Sequence, residues 1–120
     1  AVGRAIASYP RDFKVVVLGT GGLSHQLDGE RAGFINKEFD FLCLDKLIKD
    51  PAALTTYSNV ELVRLAGTQG IEILNWIAAR GALLGDVSEL HRSYHIPISN
   101  TASAIQLLEN RSAGTLRRAG

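Results

Sequence analysis

The sequence contains no methionine, not even at its first position. Ala1 runs directly into Arg4-Ala5-Ile6-Ala7-Ser8-Tyr9, which reads as the end of a helix closed by Pro10. Together these two features lead to the expectation that residues precede Ala1 in the natural polypeptide. Cysteine is almost absent. The lone Cys43 excludes an internal disulfide framework and fits a reducing, cytoplasmic setting. No apolar run approaches the roughly 20 residues of a membrane helix, and no basic leader followed by an apolar core marks a secretory signal. A charge bias is missing too: 13 basic and 12 acidic residues leave a net charge of +1. Arg111, Arg117 and Arg118 are too sparse to argue for nucleic acid. What remains, 46% hydrophobic and 21% charged, is the composition of ordinary globular sequence, one domain's worth at most. There is no internal repeat, low-complexity stretch or linker between two cores.

Against this plain background one stretch stands out, Val15-Val16-Val17-Leu18-Gly19-Thr20-Gly21-Gly22-Leu23-Ser24-His25. Lys14 to Leu18 reads as a buried strand, because β-branched side chains pack well on a pleated sheet. The glycines then end the strand and let the chain turn or approach another group closely. His25 follows just past the strand's carboxyl end, where open α/β sheets place their ligand crevices. Imidazole suits proton transfer near neutral pH, though many loop histidines carry no role. A phosphate cradle is disfavoured: the P-loop ending and the dinucleotide glycine spacing are both missing.

Farther along, Pro10-Arg11-Asp12 reads as a turn and Leu27 to Gly33 as irregular. Asn36 is a good N-cap for a helix from Lys37 to Lys49. That helix places Phe39, Leu42, Cys43 and Leu47 near one face, broadened by Phe41, Leu44 and Ile48. Asp50 can cap a short helix from Pro51 to Thr55. Ser58 and Glu61 form a capping box for a helix stopped at Gly67. Thr68 can cap a further helix over Gln69 to Arg80, with Ile71, Leu74 and Ala78 as its apolar stripe and Gly81 as its carboxyl cap. Val87 to Arg92 reads as a short helical piece, and Tyr94 to Ile98 as extended around Pro97. Ser99-Asn100-Thr101 is a polar turn. Ala102 to Leu108 fits strand or helix equally, and the tail from Asn110 looks frayed.

On the Gln69–Arg80 helix, Glu72, Asn75, Trp76 and Ala79 share a face. A carboxylate one turn from a tryptophan in an apolar helix is expensive to bury unless paired or bound to a cation. Spacing alone favours the plainer reading, a carboxylate near solvent at a helix N-terminus where negative charge suits the helix dipole. His91 and His95, four apart, could pair on a helix, but Pro97 argues against one reaching His95. With no HExxH and no cysteine pair, a zinc site within the chain is not expected. Ser99 and Asn100 could meet a ligand's polar end or form an ordinary turn.

These residues carry a resemblance. Gly19 to Leu27 resembles the loop that holds the catalytic histidine in class III extradiol ring-cleaving dioxygenases. The similarity is greatest to the catalytic β subunits that cleave protocatechuate at its 4,5 bond. It continues through Gly29 to Asp40, Gly70 to Trp76, Arg80 to Leu83 and Tyr94 to Ala102. The resemblance implies an α/β fold, a three-layer α/β/α sandwich around a mixed sheet, of which residues 1–120 would be the helix-rich carboxyl-terminal segment of a single catalytic domain. It implies Fe(II) held by two histidines and one glutamate, with Glu72 in the glutamate's place and His25 in that of the acid/base. Ser99 and Asn100 match the turn near the aromatic substrate. No residue here matches the family's two ligand histidines. The implied partners are a catechol-type aromatic acid, O2 and a small α subunit, with no nucleic acid and no membrane. Gallate or methylgallate is the alternative substrate, and a non-catalytic subunit or binding module of the same fold is the rival reading.

Overall fold

Asn36 starts the longest helix of the computed structural model, which describes residues 2–10 and 14–111. Its side chain accepts from the Phe39 amide at 3.1 Å, and helix α2 runs Lys37–Lys49. Glu38 and Asp40 in the first turn and Lys46 and Lys49 in the last suit the helix dipole. Phe39, Asp40, Cys43, Leu44 and Leu47 are buried, whereas Leu42 stands 39% exposed and leaves the expected stripe. Before α2 lies α1 (Val2–Ser8), the helix end expected ahead of Pro10. Arg11 and Asp12 of the expected turn lie outside the described residues, as do Arg117 and Arg118.

Proline starts α3 (Pro51–Leu54), and Asp50 occupies its N-cap position without a side-chain capping bond. The capping box at α4 (Asn59–Ala66) is complete, with Ser58 N to Glu61 Oε1 at 2.9 Å and Glu61 N to Ser58 Oγ at 3.1 Å. The Ser58 bonds hold the Glu61 carboxyl below its usual range. Gly67, at φ 91°, ends α4 as expected.

The single helix expected over Gln69 to Arg80 is two pieces, a 3-10 turn (Gln69–Glu72) and α5 (Ile73–Gly81). Thr68 makes no side-chain cap, and Gly81 is the last helical residue, with Ala82 as the cap. A 3-10 turn has a different period from an α-helix, so it shifts the phase of every later side chain. Leu74 and Ala78 are therefore exposed, while Ile73 and Arg80 are buried and Trp76 and Ile77 pack against the core.

The helical piece expected at Val87 to Arg92 is instead strand β1 (Val87–His95), paired antiparallel with β2 (Ser103–Asn110) from Val87↔Asn110 to His95↔Ser103. A register shift between Glu89 and His91 leaves Leu90 unpaired. This bulge breaks the alternation that marks a strand. The ambiguity over Ala102 to Leu108 resolves as strand. Asn110 is the last strand residue, not part of a frayed tail, and Arg111 donates to Ser88 Oγ at 2.8 Å.

The fold is thus mixed α and β, and the sheet among the described residues is this two-stranded one. Val15 to Leu18 joins no ladder among them. These four side chains are 49%, 71%, 42% and 80% exposed, respectively. A strand needs a neighbouring strand to take its amides and carbonyls, and no described residue supplies one here. An apolar groove of about 390 Å³ separates Val15 to Leu18 from Trp76 and Ala79 of α5 and Ala104 to Leu108 of β2. The core gathers Phe39, Cys43, Leu44 and Leu47 of α2 with Leu54, Leu62, Ala66, Ile73 and Ala102, and the glycine loop contributes Leu23.

Candidate functional site

The face carrying Glu72, Asn75, Trp76 and Ala79 grips the glycine loop. Asn75 Nδ2 donates to the Thr20 carbonyl and Trp76 Nε1 to the Gly21 carbonyl, both at 3.0 Å. Gly21 has φ 125°, and a Cβ there would lie 2.8 Å from Glu72 Cβ and 2.9 Å from Glu72 Oε2. Only glycine fits so close an approach at that φ. Leu23 then plunges into the core, its amide donating to the Ala102 carbonyl at 2.8 Å. His25 is bridged antiparallel to Thr101, and its amide donates to the Ala66 carbonyl at 2.8 Å. The histidine is therefore held by the carboxyl end of α4 on one side and by Thr101, two residues ahead of β2, on the other.

His25 is 5% exposed. Its Nδ1 lies 2.8 Å from the Leu23 carbonyl. A carbonyl can only accept, so this contact assigns a hydrogen to Nδ1 and makes Nε2 the nitrogen at which a proton can come and go, a hydrogen there completing its contact with a carboxylate. Nε2 faces Glu72 Oε1 at 3.1 Å, and the glutamate side chain remains 43% exposed. Glu72 thus combines features of both sequence readings: it sits at the N-cap position of α5, half open to solvent, and it is paired with the histidine.

Ser99 lies on an exposed turn, and Asn100 takes φ 56° with its amide donating to the Pro97 carbonyl at 2.9 Å. Thr101 brings this turn beside His25 through the backbone. The structure records no side-chain hydrogen bond from Ser99 or Asn100 to His25 or Glu72. His91 and His95 are exposed on β1. Four strand residues span about 13 Å, too far for a shared ion. Among the described residues no three of His, Cys, Asp and Glu converge on a metal position. Glu72 offers a hard oxygen donor of the kind that suits Fe(II) beside imidazole, but it is one donor of a set these residues do not complete.

The sequence reading missed the group behind His25. Asp40 is 2% exposed. Its Oδ1 accepts from the Ser24 amide at 2.8 Å, and its Oδ2 accepts from Ser24 Oγ at 2.6 Å and from the Tyr94 hydroxyl at 2.5 Å. Ser24 Oγ in turn accepts from the Asn36 amide at 2.8 Å. Burial raises the Asp40 carboxyl above its ordinary value despite these donors, and burial together with Asp40 raises the Tyr94 hydroxyl. The available signal was one charged residue beside Phe39, Cys43 and Leu44 on the buried face of α2, since buried carboxylates are rare unless partnered.

Over residues 1–104 the chain matches the family described as the catalytic LigB subunit of aromatic ring-opening dioxygenase. It is also 48% identical over 111 residues to a Pseudomonas putida protein named gallate dioxygenase, an alignment covering 92% of this chain and 32% of that protein. The chain therefore spans about a third of the length of this curated relative.

Proposed function

The chain belongs to the family of catalytic LigB subunits of aromatic ring-opening dioxygenases, and on that premise we propose that it is the carboxyl-terminal part of an extradiol dioxygenase opening the ring of a catechol-type aromatic acid with O2. The observation that carries the reading is the contact of His25 Nε2 with Glu72 Oε1 at 3.1 Å, at the mouth of a glycine loop. Glu72 would be the one carboxylate that these residues contribute to holding an Fe(II). Bound there, such an ion would supply Lewis acidity and a route for electrons to O2. His25 takes a proton from a ring hydroxyl at Nε2 and returns one as the ring opens, while the Leu23 carbonyl keeps the other hydrogen on Nδ1. The half-open Glu72 side chain and the buried imidazole support separate roles for the two residues, one toward the ion and one toward the proton. Ser99 and Asn100 face the aromatic acid from the turn beside Thr101. A small α subunit is the expected partner, and the cytoplasm the expected compartment.

The sequence resemblance favours protocatechuate, cleaved at the 4,5 bond to a hydroxymuconate semialdehyde. The similarity to gallate dioxygenase supports gallate about as well. A hybrid in which these residues replace the matching third of the Pseudomonas putida protein tests the reading. Loaded with Fe(II), it is expected to take up O2 with protocatechuate, gallate or both, and the relative rates decide between the substrates. Glu72→Ala is expected to abolish iron loading. His25→Ala is expected to retain iron and to slow ring cleavage by about 100-fold or more. A folded hybrid that consumes O2 with neither acid overturns the proposal in favour of the non-catalytic module.

A further inference from the structure

The turn at Ser99 and Asn100 stands on two feet. The carboxyl-terminal foot is tied to the histidine loop through backbone, by the Thr101–His25 bridge and the Leu23–Ala102 hydrogen bond. The amino-terminal foot is the end of β1, which the ladder holds to the other foot at His95↔Ser103 and which Tyr94 ties to the same loop by a side chain. The Tyr94 hydroxyl and Ser24, the residue before His25, both donate to the single buried carboxylate of Asp40. We propose that Asp40 is a positioning residue that fixes the distance between His25 and the Ser99–Asn100 turn. This rests on the proposed function, because it assigns the His25-to-turn spacing to the reaction.

Three features support the assignment. First, all three partners of Asp40 are donors, and the Ser24 hydroxyl is committed because its oxygen already accepts from Asn36. An acceptor-only group with two oxygens is therefore what the position requires. Second, a similar-sized apolar side chain would avoid the desolvation of a buried carboxylate, so filling space does not by itself account for Asp40. Third, the carboxylate joins segments far apart in the chain: Ser24 lies 16 residues before Asp40 and Tyr94 lies 54 after it. Its own mount is firm, since α2 is the longest helix and packs Phe39, Cys43, Leu44 and Leu47 into the core. The Tyr94 ring also lies against Phe41 of that helix, with centroids 4.7 Å apart. Asp40 touches neither Glu72 nor the turn, but its charge does reach His25, so Tyr94→Phe, which leaves the carboxylate in place, is the variant that isolates the effect on geometry.

The test uses the active hybrid enzyme with Asp40→Asn and Tyr94→Phe. An amide at residue 40 keeps one acceptor oxygen and turns the other into an NH2 donor, so in either orientation at least one of the three donors loses its acceptor. Tyr94→Phe removes one hydroxyl and leaves the Ser24 bonds intact. Both variants are expected to bind Fe(II) stoichiometrically, because Glu72 is untouched. Tyr94→Phe is expected to raise KM for the aromatic acid several-fold with kcat within about twofold of the parent, since only the side-chain tie of the turn is lost and its backbone ties to the His25 loop remain. Asp40→Asn is expected to raise KM and also to lower kcat by about 10-fold to 100-fold, the loss that a displacement of about 1 Å at a catalytic group produces. A merely structural role would lower the melting temperature and leave both constants of the folded enzyme unchanged. That outcome in Tyr94→Phe overturns the proposal even if Asp40→Asn fails to fold. An inactive parent hybrid refutes the proposed function, and the positioning role falls with it. An active parent with kinetically silent variants refutes the positioning role alone.

Discussion

Replacing Gly67 by alanine should be among the most damaging single-methyl additions in this protein. Gly67 sits at φ 91°, ψ 166°, a region essentially reserved for glycine, where another residue costs about 1–3 kcal/mol. The added Cβ would also lie 2.2 Å from the His25 carbonyl oxygen and 2.8 Å from its carbon. Those are backbone atoms and cannot rotate aside, so α4 and the histidine loop must separate. Separation breaks the hydrogen bond from the His25 amide to the Ala66 carbonyl at 2.8 Å, worth about 1 kcal/mol. The sum is a loss of about 3 kcal/mol, a large part of the roughly 5–15 kcal/mol available to a folded domain. Gly81→Ala is the matched control: a Cβ there meets nothing within 4 Å, and alanine is preferred to glycine in a helix by about 1 kcal/mol. Urea unfolding followed by tryptophan fluorescence compares the two, Trp76 being the sole tryptophan. Gly67→Ala should lower the midpoint and Gly81→Ala should leave it unchanged or raise it. Equal midpoints for Gly67→Ala and the parent would refute the steric reasoning.

Other perturbations follow from buried groups. Arg80, 8% exposed, donates to the carbonyls of Leu47 at 2.6 Å, Leu83 at 2.9 Å and Gly85 at 3.0 Å. Arg80→Met should cost about 3 kcal/mol by stranding those carbonyls, and Arg80→Lys should recover only part of it in the same urea assay. The Cys43 thiol, pushed up to about 12 by burial and by Asp40, should stay unlabelled by a thiol reagent at pH 8 until the protein unfolds; native-rate labelling would contradict its burial. For Asp40 the folded value is raised above the ordinary 3.8, chiefly by burial. In the window between these values the folded state holds a proton that the unfolded chain has released. The Asp40 contribution is therefore greatest below 3.8 and is lost as pH rises through the folded value. Unfolding free energies against pH should show this fall in the parent and not in Asp40→Asn.

Where a structural decision is local, residues a few positions apart carry it. Asn36 ahead of Lys37, Ser58 three residues before Glu61, and Gly67 after Ala66 set two helices and their ends because caps act within one turn. The face of Glu72, Asn75 and Trp76 was equally readable, and it is the face that holds the glycine loop. The resemblance in Gly19 to Leu27 singled out His25 and that in Gly70 to Trp76 singled out Glu72, and the fold brings the two within 3.1 Å of each other. Other decisions depended on partners distant in sequence. Val87 to Arg92 is strand because Gln106 to Asn110 pair with it. Arg80 is buried because the carbonyls of Leu47, Leu83 and Gly85 surround it. Val15 to Leu18 has the composition of a buried strand but no neighbour among the described residues to bury it. Asp40, the link between His25 and the turn, is one more acid on a helix until Ser24 and Tyr94 arrive from opposite ends of the chain. Capping and periodicity are short-range and written in adjacent residues, whereas burial and hydrogen-bond partnership are set by whatever the folded chain brings alongside.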